Sequence, residues 1–294
     1  MRVTVSGGSG LIGSHVVSAL RARGDEVTVL SRTGSGGSVA WDPLGGPAPA
    51  GALEGRDAVI NLAGEPIAQR WTPAAREAIR LSRIRGTANL IAGIGALASG
   101  RPRVLASASA VGYYGDCGDR LLAEDSPPGK DFLAGVCAEW EAAAAQASQL
   151  GLRVAVLRTG VVLDRSGGAL AKMLPPFRLG AGGPVAGGRQ YISWIAPSDL
   201  SGLYLAALDD ERFSGAFNAS APAAVRNADF SRALGRALHR PAVVPVPAFA
   251  LRLLYGSMAE IVTASQNAVP QRALALGHEF ALASLDAALA AALS

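Results

Sequence analysis

The stretch Val3-Thr4-Val5-Ser6-Gly7-Gly8-Ser9-Gly10-Leu11-Ile12-Gly13 runs a β-branched segment into glycines and out into an apolar helical pattern. It predicts a strand over Arg2–Ser6, a tight turn, and a helix over Leu11–Ala22. Gly7 can take the backbone angles the turn needs, and Gly10 carries no Cβ to block a pyrophosphate. Gly13 lets the helix pack closely on the sheet. The free N–H groups and positive end of the helix favour phosphate, so Gly7, Ser9, Gly10, Leu11, Ile12 and Gly13 are the expected contacts of a nucleotide. A second strand over 26–30 completes a βαβ unit. The competing reading is a glycine turn with no ligand.

Outward from this unit, strand patterns return at 58–62, 103–107 and 152–157, with helical stretches at 73–97 and 131–150 between them. Such alternation implies an α/β fold, a Rossmann-type doubly wound parallel sheet. The Gly, Pro and Ser-rich segment 33–55 holds one apolar island at Val39-Ala40-Trp41, read as a minor strand. After Leu163 the texture changes. Gly167-Gly168, Pro175-Pro176 and Gly187-Gly188 break the chain, and helical patterns resume at Pro197 and Ala228. The expected division is a nucleotide-binding domain over 1–164, completed by part of 190–220, and a smaller C-terminal substrate lobe over 165–294. Within that lobe, 174–194 is expected to form a mobile lip over the carboxyl ends of the strands, where ligands of such sheets bind.

Half of the 294 residues are apolar and 17% are charged, enough to build a sizeable core. Net charge is a modest +4, and the arginines are scattered, which excludes a nucleic-acid groove and suits a small ligand, an anionic one among the candidates. Lys130 and Lys172 are the only lysines. Cys117 and Cys137 have no metal or disulfide spacing, and His15, His239 and His278 stand apart from one another and from acids, so no metal is expected. The first strand leaves no room for a targeting peptide and no apolar run reaches ~20 residues, so a cytoplasmic protein without a membrane segment is expected.

The second strand ends in Leu30-Ser31-Arg32, where an NAD-preferring fold places an acid for the ribose 2′-hydroxyl. A hydroxyl and a guanidinium there suit a 2′-phosphate, which points to NADP(H). Asn61-Leu62-Ala63-Gly64 are small residues at a strand's carboxyl end, where a ribose would pass close to backbone.

With GGSGLIG, the NLAG segment and SASAVGYYG (107–115) in view, the chain resembles the extended short-chain dehydrogenase/reductase superfamily, in its NAD-dependent epimerase/dehydratase branch. NLAGEPIAQRW (61–71), SRIRGT (82–87), SWIAPSDL (193–200) and MAEIVTASQNAVPQRALALG (258–277) look like one atypical subfamily of epimerase family proteins with its own C-terminal domain of unknown function. The resemblance implies catalysis by a Tyr and a Lys four residues later. Ser126 and Gly168 precede the lysines at that distance, so no such pair exists. Matching 131–150 to the superfamily's catalytic helix puts Leu133 and Cys137 in those places, and Arg83 in that of a supporting Asn. Ser109 is carried over from the catalytic set by its place in SASAVGYYG, and Ser107 and Arg83 are expected beside the cofactor.

Tyr113 and Tyr114 follow the fifth strand, where either phenol could donate the missing proton; alternatively one ring forms a wall and the other's hydroxyl anchors the loop. Leu133, Cys137 and Trp140 share a helix face that reads as a buried apolar stripe or, less simply, a reactive thiol. Arg178, Arg189, Gln190 and Trp194 are candidates to grip substrate from the lip, and Asp199 is read as charging a helix N-terminus. The sequence thus suggests an NADP(H)-dependent oxidoreductase or epimerase-like enzyme acting on a small molecule; the alternative is a non-catalytic NADP(H) sensor. Monomer and homodimer both remain open, the long helical stretches being the expected pairing surface.

Overall fold

The computed structural model describes residues 1–294, the side chains of Leu254 and Tyr255 apart. Seven strands form the main sheet: β1 (Arg2–Ser6), β2 (Glu26–Ser31), β3 (Val39–Ala40), β4 (Ala58–Asn61), β5 (Val104–Ala110), β6 (Arg153–Thr159) and β7 (Gly215–Ala219). They lie in the order β7-β6-β5-β4-β1-β2-β3, and every pairing is parallel. Parallel strands are buried on both faces, and alternate residues fill two cores. Val3, Val5, Ile60, Ala106 and Leu157 meet α1 (Leu11–Ala22) and α5 (Pro197–Asp209) through Val16, Leu20 and Leu203. On the opposite face Val59, Leu105 and Val156 meet Leu90 and Ile94 of α2 (Pro73–Gly95) and Ala144 of α3 (Phe132–Ala145).

The long helices begin on local signals. The Thr72 hydroxyl accepts from the Ala75 N–H with Pro73 as the first helical residue, and the Asp131 carboxylate accepts from the Ala134 N–H. Both helices stop short of the stretches expected from sequence: α2 ends at Gly95, and Gln146–Leu150 tightens into a 3₁₀ turn.

Beyond β6 the chain builds a third core from Leu163, Leu174, Phe177, Trp194, Phe230 and Leu289. Gly168, Pro175 and Pro176 do not break the chain here; they belong to α4 (Gly168–Arg178). Burial of Leu170, Leu174 and Phe177 along one face outweighs the missing proline N–H groups, and the helix ends two residues after Pro176. The expected lip is structured too. Tyr191–Ile192 pairs antiparallel with Val225–Arg226, and Trp194–Ile195 pairs parallel with Val161–Val162. Trp194 and Gln190 are buried, the latter donating to the Val185 and Val262 carbonyls, so neither faces a ligand as expected. No helix among the described residues is long and apolar enough to cross a membrane.

Candidate functional site

The carboxyl edge of β1, β4 and β5 meets the start of α1 at the glycine turn. Gly7 has a φ of +72°, and a Cβ there would lie 2.8 Å from the Ala63 nitrogen, so the turn rests on the backbone that leaves β4. A Cβ on Gly13 would collide with the Gly7 carbonyl oxygen: the helix packs on the turn itself, closer than the sheet contact expected from sequence. Gly8 was not singled out by the reading of spacing, yet its Cβ would press on Val29 at 2.9 Å. Gly10 and Ser9 are exposed, and a Cβ on Gly10 would meet only the Gly7 carbonyl, at 3.3 Å. No side chain caps α1 and its first turn holds no acid, so its free N–H groups look out through the gap the glycines leave. This cradle fits a pyrophosphate. Leu11 closes its rim, lying where side chains on Gly167 and Gly168 would fall, and the His15 ring bonds Asp164 at 2.5 Å to tie the segment before α4 to α1. Sequence separation hides that pair.

At the end of β2, Ser31 bonds Ser38 Oγ at 2.6 Å and accepts from the Gly34 N–H, while Arg32 is exposed. At the end of β4 the Asn61 side chain is buried. It accepts from Ser6 Oγ and donates to Thr87 Oγ1 at 2.8 Å, where Trp140 Nε1 also donates. Ser107 is fully buried beside it, so the expected contact of its hydroxyl with a cofactor is not available; β5 turns that side chain toward α2. Past Asn61 the chain offers the edge its backbone at Leu62, Ala63 and Gly64, the Leu62 side chain packing against the first core.

Arg83 lies beneath Gly64, whose Cβ, if present, would stand 3.1 Å from the guanidinium carbon. Its Nη1 donates to the Glu65 and Ile79 carbonyls at 2.9 and 3.1 Å, and its charge sits 5.2 Å over the Trp140 ring. Burial pulls its pKa below the ordinary arginine value.

Of the three expected catalytic hydroxyls, those of Ser109 and Tyr114 are engaged in the interior. Ser109 is buried and donates to Glu141 Oε1 at 2.6 Å; Arg158 grips the same carboxylate through Nε at 2.9 Å and Nη2 at 2.8 Å. Burial opposes the charge on Arg158, but these bonds prevail and hold its pKa above the ordinary value. The Tyr114 hydroxyl donates to Asn218 Oδ1 at 2.7 Å and accepts from Arg158 Nη1 at 2.9 Å, and burial pushes its pKa up to about 12. Tyr114 is therefore the loop anchor, not the exposed donor. Tyr113 is half-buried with Arg158 stacked 3.5 Å over its ring, and it lines a groove with Ala138, Glu141 and Gly215 on the far side of α3. Cys137 and Trp140 are buried, as the stripe reading requires, and burial with Glu141 nearby pushes the thiol up to about 11. Asp199 lies in the first turn of α5 but spends its carboxylate on the Ala281 and Leu282 N–H groups, a partnership across 82 residues that spacing cannot show. Among the described residues no three His, Cys, Asp or Glu side chains gather as metal ligands.

Comparison with known proteins adds identity to this geometry. The model of the NAD dependent epimerase/dehydratase family matches residues 3–219, and a domain of unknown function, DUF1731, matches 246–292. The chain is 43% identical to the chloroplastic homolog of epimerase family protein SDR39U1 from Arabidopsis thaliana, over 95% of this chain and 83% of that one. It is 40% identical to the Mus musculus protein SDR39U1 over 98% of each. The crystal structure of human SDR39U1 with NADPH superimposes with a TM-score of 0.91 at 36% identity, covering 100% of both chains.

Proposed function

The chain belongs to the NAD dependent epimerase/dehydratase family, and from that premise we propose an NADP(H)-dependent, epimerase-like oxidoreductase acting on a small molecule. The observation that carries this reading is the uncapped start of α1 behind the Gly7–Gly13 cradle, with Ser31 and Arg32 at the neighbouring strand end. The NADPH in the human relative supports it. Helix N–H groups from Leu11 to Gly13 would hold the pyrophosphate, Arg32 the 2′-phosphate, and the backbone of Leu62, Ala63 and Gly64 would run beside the ribose. The bound cofactor would exchange hydride with the substrate. The chain's part is binding, orientation and exclusion of water. Leu133 carries no exchangeable proton and the Cys137 thiol is buried, so the proton comes from Tyr113, from water or from the substrate's own groups.

That Ser109 and Tyr114 are already bonded in the interior favours a second reading, a protein that holds NADP(H) without turning it over. Calorimetry with NADPH and NADH comes first. Arg32→Asp is expected to lower the NADPH-to-NADH affinity ratio by about tenfold or more, the worth of a charge-assisted bond; an unchanged ratio would refute the 2′-phosphate assignment. Absorbance at the reduced-nicotinamide band, followed with carbonyl, quinone and nucleotide-sugar acceptors, then separates enzyme from sensor.

A further inference from the structure

Arginines that look scattered along the chain converge at one place in the C-terminal lobe. α6 (Asn227–Ala237) carries Arg232 and Arg236 one turn apart, and Arg240 follows at the same interval just past its end. With His239 they line an open cavity of about 740 Å³, completed by Gly235, Ala242 and Val243. Among the described residues no acid lines it, and none of the lining residues belongs to the glycine turn or to the ends of β1, β2 and β4. The chain holds no Asp or Glu between Asp229 and Glu260, nor between Asp164 and Asp199, the stretch that Arg240 reaches by donating from Nε to the Arg178 carbonyl at 3.1 Å.

The walls of this cavity are fixed by backbone. A Cβ on Gly235 would stand 2.7 Å from that of Ala242, so glycine is what lets the chain fold back on α6. His239 takes a φ of +53°, a conformation that usually falls to glycine at a helix end. Its N–H and that of Arg240 donate to the Arg236 and Gly235 carbonyls at 3.0 and 2.9 Å, which turns those carbonyls away from an incoming anion. Arg232 and Arg236 pair with Asp229 and Asp286, but both pairs are exposed and contribute little, so other oxygens can take the place of the carboxylates. The helix dipole accounts for cations in the last turn; it does not account for Arg232, at the middle of α6 and on the same wall.

We propose that this cavity is a second ligand site, separate from the dinucleotide cleft, and that it binds an oligophosphate across Arg232, Arg236 and Arg240. A guanidinium presents parallel N–H groups that match two phosphate oxygens at once. The first two guanidiniums start about 6 Å apart along the helix axis, and an oligophosphate meets such a row with a charge at every link. The group has two sources, a free oligophosphate or the tail of a nucleotide whose base lies on Ala242 and Val243.

The test is calorimetric titration of the full chain, with NADPH in excess to fill the glycine cradle, against tripolyphosphate, ATP and tetraglutamate, a peptide of similar charge, at fixed ionic strength and without divalent cations. Two variants act by different routes: Arg232→Gln combined with Arg236→Gln removes two forks, and Val243→Glu keeps every cation but sets a carboxylate in the cavity. Circular dichroism melting establishes that each variant folds. Tripolyphosphate is expected to saturate one site, to bind more weakly as salt rises, and to lose about tenfold or more in affinity in both variants. ATP binding about tenfold more tightly than tripolyphosphate identifies the nucleotide as the source; ATP binding equally or more weakly identifies the free oligophosphate. Three results would each overturn the site: no saturable binding of either phosphate, affinities that both variants leave unchanged, or tetraglutamate binding as tightly as tripolyphosphate, the behaviour of a patch that reads charge alone. Should the wild-type chain fail to bind NADPH, the dinucleotide reading falls, and the response of tripolyphosphate to the two variants still judges this cavity.

Discussion

The hydroxyl of Tyr114 joins Arg158 to Asn218 inside the protein, which decides what its removal does. Tyr114→Phe leaves Asn218 Oδ1 buried without that donor. Such a loss costs about 1–3 kcal/mol, measurable by denaturant titration, while NADPH affinity should hold within about twofold. A collapse of cofactor binding with unchanged stability would restore the phenol to the cleft. Cys137 makes a second claim. A thiol held near 11 stays protonated at pH 8, about one part in a thousand as thiolate, so iodoacetamide should spare it in the native protein and label it after unfolding. Peptide mass spectrometry reads both states; rapid native labelling of Cys137 would mean that the thiol is neither buried nor neutral. Spacing exposed the absence of the Tyr and Lys pair, since that needs only a count of positions. It could not say that Ser109 faces Glu141, because a strand residue's side depends on which helix covers which face.

The start of α1 and the segment leading into α4 work as one unit, because the His15 and Asp164 contact holds them together. Burial by itself would raise the pKa of Asp164, but bonds from His15 and from the Ser166 N–H and hydroxyl outweigh it and keep the carboxyl below its ordinary value. A lowered carboxyl pKa contributes stability that is complete above its unfolded value and is lost as pH falls through the folded one. Asp164→Asn should therefore speed amide exchange over residues 163–170 at neutral pH. Wild type and variant should converge in acid, once Asp164 is protonated. Equal exchange at neutral pH would show that the contact does not secure α4. At this scale the first strand, turn and helix were legible, since each is written in contiguous residues. The run of α4 through two prolines was not, because only its packing against the third core explains it.

Across the whole molecule the C-terminal segment is sewn into the sheet rather than appended to it. Asp199 accepts from the Ala281 and Leu282 N–H groups, Glu124 from the Arg272 N–H, and Arg272 donates to the Ser214 and Ala216 carbonyls at the start of β7. Asp199→Ala should cost about 1–3 kcal/mol, because the Ala281 and Leu282 N–H groups lose a charged acceptor. Tryptophan fluorescence and far-ultraviolet dichroism should still report one coincident transition. Two separated transitions would show that the lobes fold independently. By itself the sequence determined the parallel α/β architecture, the glycine turn and the cation at the end of β2, since periodicity and turn chemistry act over a few neighbouring residues. Only the tertiary structure decided which hydroxyls are consumed in the interior and that Arg83 is left without an anion. Those outcomes depend on which distant side chains strand pairing and helix packing bring together, and on which charges they leave unanswered.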